Sequence, residues 1–349
     1  MSDDAREPEV LFHVDRGVGV VTLNRPGKIN AVTEGMLGMV ERALDAWQDD
    51  DAVEALLLRG AGPRGFCAGG DITAIHRDAT ADPARSVAMW RREYRGALRL
   101  ARWDRPVVSY LDGIAMGAGV GLGGHVSLRV VTPRSRVGMP ETLIGLTPDA
   151  GGSYLLSRAP GELGTHLALT GAAMTASDAL LTGFADVLVA EEGEAGSELV
   201  LDALATGGPD AVRALAIEPP PPPLAAERSW IDDAYRGDDA VRVLGRLRGL
   251  ARDGVDAAGR AADDLEAASP TSVALTLAAQ RRARGLPDLE AVLGQELGLV
   301  TALADSPDLV EGIRARVVDK DRSPRWSPAS LADVDVAEVL ARVDWDTRI

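Results

Sequence analysis

Very little in this chain can form a covalent cross-link or hold a soft metal: its 349 residues include one cysteine, Cys67, and four histidines. A single thiol excludes an intramolecular disulfide and a cysteine-rich metal site, and it agrees with a reducing compartment. His13, His76, His125 and His166 show no metal-ligand spacing, so no metal is expected. Lysine is almost missing too, with only Lys28 and Lys320, and arginine carries the positive charge. No stretch reaches the roughly 20 uninterrupted apolar residues that a membrane helix needs. The start, MSDDAREPEV, is acidic where a secretory signal would be basic and then apolar. A cytoplasmic protein with no membrane partner is therefore expected. The net charge of −16 argues against a nucleic-acid partner as well, because both polyanions repel it.

What the chain does have is a core-forming composition, 46% hydrophobic and 26% charged, over a length that supports one large domain with an appendage, or two domains. VGVVTL (residues 18–23) is a β-branched strand that stops before Pro26, and a hairpin with residues 10–14 is expected. Thr33 then caps a helix whose apolar residues Met36, Leu37, Val40, Ala43, Leu44 and Trp47 recur at helical spacing. ALLLRG (55–60) reads as a buried strand, residues 85–102 as a helix, PVVSYLDG (106–113) as a strand, and a helix runs on to about Leu128, where LRVVT begins another strand. This α/β alternation predicts a mostly parallel arrangement, either an open sheet or a coiled stack of turns. EPPPPPL (218–224) is a stiff polyproline interruption. It divides an expected core at 1–217 from an expected all-helical region at 225–349, rich in Ala, Leu, Arg and Asp.

Two glycine-rich turns end strands: FCAGGDI (66–72) and GIAMGAGVGLGGH (113–125). Each exposes uncommitted N–H groups at the start of a helix, where anionic oxygen is favoured. Facing each other, they would stabilise charge developing on a carbonyl oxygen. Glycine runs equally suit tight turns and close helix packing. Neither continues into the Gly-Lys-Ser/Thr of a phosphate loop.

LNRP with INAVT, FCAGGD, GIAMGAGVGL and MPETLIGLTPDAGGSY stand in the order and spacing of the crotonase, or enoyl-CoA hydratase/isomerase, superfamily, and the chain resembles it over about residues 10–190. The resemblance implies a core of ββα turns wound into a superhelix. It also implies an acyl-CoA substrate, with coenzyme A as part of that substrate and no separate cofactor, and assembly into trimers or other homo-oligomers. It implies an oxyanion hole made by the N–H groups of Gly70 and Ala118, and CoA contacts at Asn30, Ala31, Ala68, Gly69, Asp71 and Ile72. Hydratases of the superfamily carry two glutamates. The first of those positions is Gly121 here, and only Glu141 remains.

RREY (91–94), Glu141 and PDAGG with Asp149 instead resemble the 3-hydroxyisobutyryl-CoA hydrolase subgroup, as do SPTSVALT (269–276) and EGIRARVVDKDRSPRW (311–326) near the C-terminus. That likeness implies catalytic roles for Glu141 and Asp149 and substrate-binding roles for Glu93 and Gly117. Carboxylates are the usual groups for acyl transfer where no Ser, Cys or His serves, so Glu141 is expected as nucleophile or as base for water. Asp149 before glycines also suits a turn or cap. Glu93, among Arg91, Arg92 and Arg95, also suits a solvated salt-bridging face. Cys67 reads as packing and His125 as a structural residue in the helix after the second turn. Thioester hydrolysis is the leading expectation, followed by one-glutamate hydratase or isomerase activity and then by a non-catalytic CoA-binding subunit.

Overall fold

A computed structural model describes residues 7–349. Strand β1 (Val10–Asp15) pairs antiparallel with β2 (Val18–Leu23) as expected. Arg16 and Gly17 both take positive φ between them, the two-residue turn whose twist matches that of paired strands. Helix α1 (Glu34–Trp47) starts where Thr33 accepts the Met36 N–H, and it buries the apolar stripe read from its spacing. Along the chain follow β3 (Ala55–Gly60), β4 (Val107–Tyr110), β5 (Ile114–Met116), β6 (Leu128–Val131), β7 (Arg136–Gly138) and β8 (Val187–Leu188). Between them lie α2 (Ile72–Ala81), α3 (Pro83–Ala101), α4 (Ala118–Gly123), α5 (Gly152–Arg158), α6 (Leu163–Thr170) and α7 (Ala176–Thr182), and α8 (Gly193–Arg213) follows β8.

The main sheet has the order β1-β2-β3-β4-β6-β8, parallel from β2 onward. Strand order follows chain order without reversal, whereas a doubly wound sheet reverses direction at its switch point. The chain therefore advances in one direction as a coiled stack of turns. β5 and β7 form a second, parallel layer, which single bridges extend from Cys67 to Ala115 and from Val137 to Met174. This is the crotonase-type ββα arrangement. Helix α4 ends at Gly123 rather than near Leu128. Glycine is a poor helix former, and any side chain at Gly124 would meet the Val120 carbonyl at 2.6 Å. His125 therefore lies beyond the helix, not in it.

After Pro222 the described chain is helical only: α9 (Pro223–Ala234), α10 (Ala240–Arg252), α11 (Asp256–Ala267), α12 (Pro270–Ala283), α13 (Leu289–Leu303), α14 (Pro307–Ile313), a π-helical turn at Arg314–Val318, and α15 (Val336–Ala341). Proline occupies the first turn of α9, α12 and α14, where its missing N–H costs nothing. These helices share their cores with the first half. One apolar cluster joins Leu156, Leu167 and Phe184 to Ile231, Val273 and Leu277. Another joins Ile75, Trp90, Tyr94 and Leu146 to Leu293, Leu297 and Leu309. The helical region thus supplies one side of the packing around α2 and α3.

Asn30 is the polar tie of the first turn. It is fully buried with φ 55°, a left-handed conformation that Asn tolerates. Its side-chain amide donates to the carbonyls of Ala61, Gly65 and Phe66 at 3.0, 3.1 and 3.0 Å, and its Oδ1 accepts the Arg25 N–H at 2.9 Å. Asn30→Ala leaves these groups unpaired in the interior, at about 1–3 kcal/mol for an orphaned buried group. The expected outcome is a loss of about 2–4 kcal/mol of stability, read as a lower urea midpoint with an unchanged m-value. An unmoved midpoint would mean that other partners replace the amide.

Candidate active site

The two glycine turns lie side by side because their strands are hydrogen-bonded. Cys67 N–H donates to the Ile114 carbonyl at 3.0 Å and Met116 N–H to the Cys67 carbonyl at 2.9 Å, while Gly117 N–H donates to Gly138 in the next turn at 3.2 Å. The approach leaves no room for side chains: a Cβ on Gly119 would meet the Cys67 carbonyl at 2.8 Å. Gly69 and Gly117 take φ of 114° and 52°, which bend the backbone outward at the end of each turn. The N–H groups of Gly70 and Ala118 make no hydrogen bond among the described residues, and both residues line one cavity of about 190 Å³. Ala118 opens α4, where a helix has no internal partner for its N–H.

Three carboxyls line the same cavity. Glu141 begins a short 3₁₀ turn after Pro140, and its Oε1 lies 2.9 Å from where a Cβ on Gly117 would stand. Its Oε2 is buried without a partner. Asp149 accepts a hydrogen bond from the Tyr94 hydroxyl at 2.8 Å. Glu93 projects from α3 on the face that buries Trp90, Tyr94 and Ala97. Exposures of 3%, 7% and 6% for Glu93, Glu141 and Asp149 place all three out of bulk water. Burial is the chief reason that the proton affinities of Glu93 and Glu141 stand well above the usual carboxyl range, and the Asp149 charge adds to it. Burial raises Asp149 to about 6 against the opposing hydrogen bond from Tyr94. The cluster has apolar walls in Ile75, Trp90, Ile144 and Leu146, with Arg316 as the cation of its lining.

Most residues singled out from the sequence meet here: Ala68, Gly69, Gly70, Ile72, Glu93, Gly117, Ala118, Glu141 and Asp149 all line the cavity. Asn30, Ala31 and Asp71 stand behind it. Asn30 ties the turn together, the Ala31 carbonyl accepts from Arg25, and Asp71 pairs with Arg25 at 3.1 Å. The solvated-face reading of Glu93 is corrected. Arg92 pairs outward with Glu41, while Glu93, one turn from Trp90 and from Ala97, points inward. An acid on the apolar stripe of a helix was the available signal. Tyr94, part of the RREY motif, was given no role of its own, the buried Glu296 of α13 was not singled out, and Glu296 carries the same signal between Val292 and Val300. At Gly121 a side chain would meet the Ala150 Cβ at 2.7 Å and the Glu93 Oε1 at 3.5 Å, so the space of the missing glutamate is already filled. Cys67 is buried, and its thiol is pushed up to about 12. His166 is buried against the Tyr235 hydroxyl.

A larger cleft of about 650 Å³ opens beside Arg59, Tyr110 and Asp112. Its arginines are already paired, Arg134 with Asp112 and Arg59 with Glu198, and its Glu192 and Glu194 are exposed. The buried unpartnered donors and acids lie in the smaller cavity.

A family model described as enoyl-CoA hydratase/isomerase matches residues 18–343, and the chain belongs to that family. Within it, the mitochondrial 3-hydroxyisobutyryl-CoA hydrolase of Danio rerio is 35% identical over 335 residues, covering 93% of this chain and 87% of its own length. Among solved structures, a carnitinyl-CoA dehydratase from Mycobacterium thermoresistibile is 46% identical with a TM-score of 0.91, covering 97% of this chain and 96% of its own. An enoyl-CoA hydratase from Rhodobacter sphaeroides is 36% identical with a TM-score of 0.90, covering 97% of each chain.

A carboxyl with a raised pKa keeps its proton until higher pH, so chemistry that needs it ionised is lost earlier on acidification. Activity is expected to fall as pH drops through about 6, where Asp149 takes up its proton, and burial of Glu141 moves its own loss above the ordinary carboxyl range as well. A kcat/KM profile against pH checks this. An acid limb near the ordinary carboxyl value of about 4 would show that the groups are not held as the site implies.

Proposed function

We propose that the chain hydrolyses an acyl-CoA thioester, with 3-hydroxyisobutyryl-CoA as substrate and 3-hydroxyisobutyrate and CoA as products. The observation that carries this reading is the unpartnered Glu141 carboxyl in one cavity with two unpartnered N–H donors. The likeness to the 3-hydroxyisobutyryl-CoA hydrolase of Danio rerio supports the choice of acyl group.

In this reading the thioester carbonyl oxygen accepts from Gly70 and Ala118 N–H as an oxyanion hole. Ionised Glu141 either attacks the carbonyl carbon, giving an anhydride that water opens, or takes a proton from a water whose oxygen attacks. Both routes pass through a tetrahedral oxyanion, break the C–S bond and release CoA thiolate, which then takes up a proton. Asp149, held by Tyr94, and Glu93 orient the substrate hydroxyl. Gly117 gives the acyl group room beside Glu141. The CoA arm runs along Ala68, Gly69 and Ile72, with Asn30, Ala31 and Asp71 fixing that edge. A cytoplasmic location and a homo-oligomer belong to the same proposal, the first supported by the lone buried cysteine.

A second reading is hydration or dehydration of a 3-hydroxyacyl-CoA. Glu93 favours it by bringing a second carboxyl into the space at Gly121, and so does the likeness to the Mycobacterium thermoresistibile dehydratase. Thiol release from 3-hydroxyisobutyryl-CoA separates the two readings. The expected result is release by the wild type and a loss of about 10²–10⁴-fold in kcat in Glu141→Gln. No release, with loss of enoyl absorbance from crotonyl-CoA, would sink the hydrolase in favour of the second reading.

A further inference from the structure

A fourth carboxyl, Glu296, reaches this region from α13, and no step above uses it. It is fully buried. Its Oε2 accepts the Gly151 N–H at 2.7 Å and its Oε1 the Ser153 N–H at 2.8 Å. Gly151 lies in the loop that carries Asp149, and Ser153 stands in the first turn of α5, into which that loop runs. That loop is bent sharply: Ala150 and Gly151 take φ of 51° and 85° in succession, and Ala150 pays the left-handed cost that a Cβ imposes. The bend turns the Gly151 N–H inward and leaves the Asp149 carboxylate facing the cavity. Its other ties include the Tyr94 hydroxyl to the Asp149 carboxylate at 2.8 Å, Gly152 N–H to the Asp149 carbonyl at 2.7 Å, Ser153 Oγ to the Pro148 carbonyl at 3.1 Å, and the His125 ring with the Ala150 carbonyl at 3.1 Å.

Glu296 has no salt-bridge partner among the described residues. The groups that face it are Asp149, Glu93 and Glu141, with Tyr94 from α3 and the His125 ring against Gly151. Burying a carboxyl among other acids is a poor way to stabilise a fold, because an apolar side chain of the same volume serves better. Burial and the Asp149 charge push it up to about 8, while the two N–H donors oppose that rise. What an apolar residue cannot supply is a pair of acceptors that hold two adjacent N–H groups at a set spacing. α13 also packs against α3 and α5, so the clamp is referenced to the helix that carries Glu93 and Tyr94.

We infer that Glu296 is a positioning residue: by holding the Gly151 and Ser153 N–H groups, it sets the bend of the loop and with it the direction of the Asp149 carboxylate toward the substrate hydroxyl. The helical region thereby acts on the reaction through one side chain. The inference rests on the hydrolase reading, in which Asp149 meets that hydroxyl.

The test compares wild type and Glu296→Gln on 3-hydroxyisobutyryl-CoA and on isobutyryl-CoA, which lacks only the hydroxyl, with kcat and KM measured separately for each. An amide oxygen accepts one N–H, and the NH₂ beside it opposes the other donor. The preference for the hydroxylated ester is expected to fall about tenfold or more, since small displacements of a positioning group cost that much. A parallel loss on both esters would overturn the inference in favour of plain structural support. Full retention of the preference would overturn it as well. If Glu296→Gln does not fold, as judged by circular dichroism, Ser153→Pro removes one donor from the other side, in the first turn of α5 where proline is accepted, and must lower the same preference. Wild type inert on both esters would overturn the hydrolase reading and this inference together; an active, selective wild type with an unchanged variant overturns only the inference.

Discussion

The short ladder between Cys67 and Ile114–Met116 is the constraint on which the site depends. Two N–H groups can serve one oxygen atom only if two separate turns are held a few ångströms apart with both backbones twisted the right way. Regular secondary structure does not do this by itself, because its own N–H groups are consumed by pairing. Here the pairing stops one or two residues short in each turn, at glycines with positive φ. Gly70 and Ala118 are left with donors that face the cavity instead of a strand. Everything behind the ladder, from Asn30 under the first turn to the β5–β7 layer under the second, keeps that spacing rigid.

Around those donors the protein gathers acids and withholds water. Dehydrating a carboxyl raises its proton affinity, and putting several together raises it further, so the cavity as a whole holds protons that free carboxyls would have lost. Such a site is poor for stability and suited to a reaction in which protons change hands near neutral pH. The walls that exclude water come from both halves of the chain, with Ile75, Trp90 and Leu146 packed against helices of the C-terminal region. That region is therefore part of the cavity's dielectric even where it contributes no lining atom.

Much of this was legible in the sequence, because local signals and global fold agree. The hairpin, the Thr33 cap, the buried β3 strand and both glycine turns each follow from short-range chemistry, and the structure realises them within a residue or two. The choice between an open sheet and a coiled stack was not legible from periodicity, since both alternate strands with helices; the superfamily motifs supplied it. Helix α4 is shorter than its apolar pattern suggests, because Gly119, Gly121 and Gly123, followed by Gly124, hold a helix weakly. Glu93 shows the limit best. Its neighbours Arg91, Arg92 and Arg95 made the whole segment look solvated, but a helix turns about 100° per residue and separates adjacent side chains onto different faces. Glu296 was hidden in the same way within an apolar helix.

The crowded space at Gly121 reaches beyond this chain. The Ala150 Cβ fills the position that a side chain at 121 would take, and the Glu93 carboxyl lies in ordinary contact beside it, so an acid stands next to that position although the residue there is a glycine. A column-by-column alignment would record the carboxyl as lost. In three dimensions a carboxyl is carried instead by α3, which packs against the helix that holds Gly121. A side chain placed at 121 alone would collide with Ala150, so a carboxyl there requires a change at 150 as well. Such a volume acts as a lock between related chemistries: passing from one to the other by single steps means crossing a badly packed intermediate.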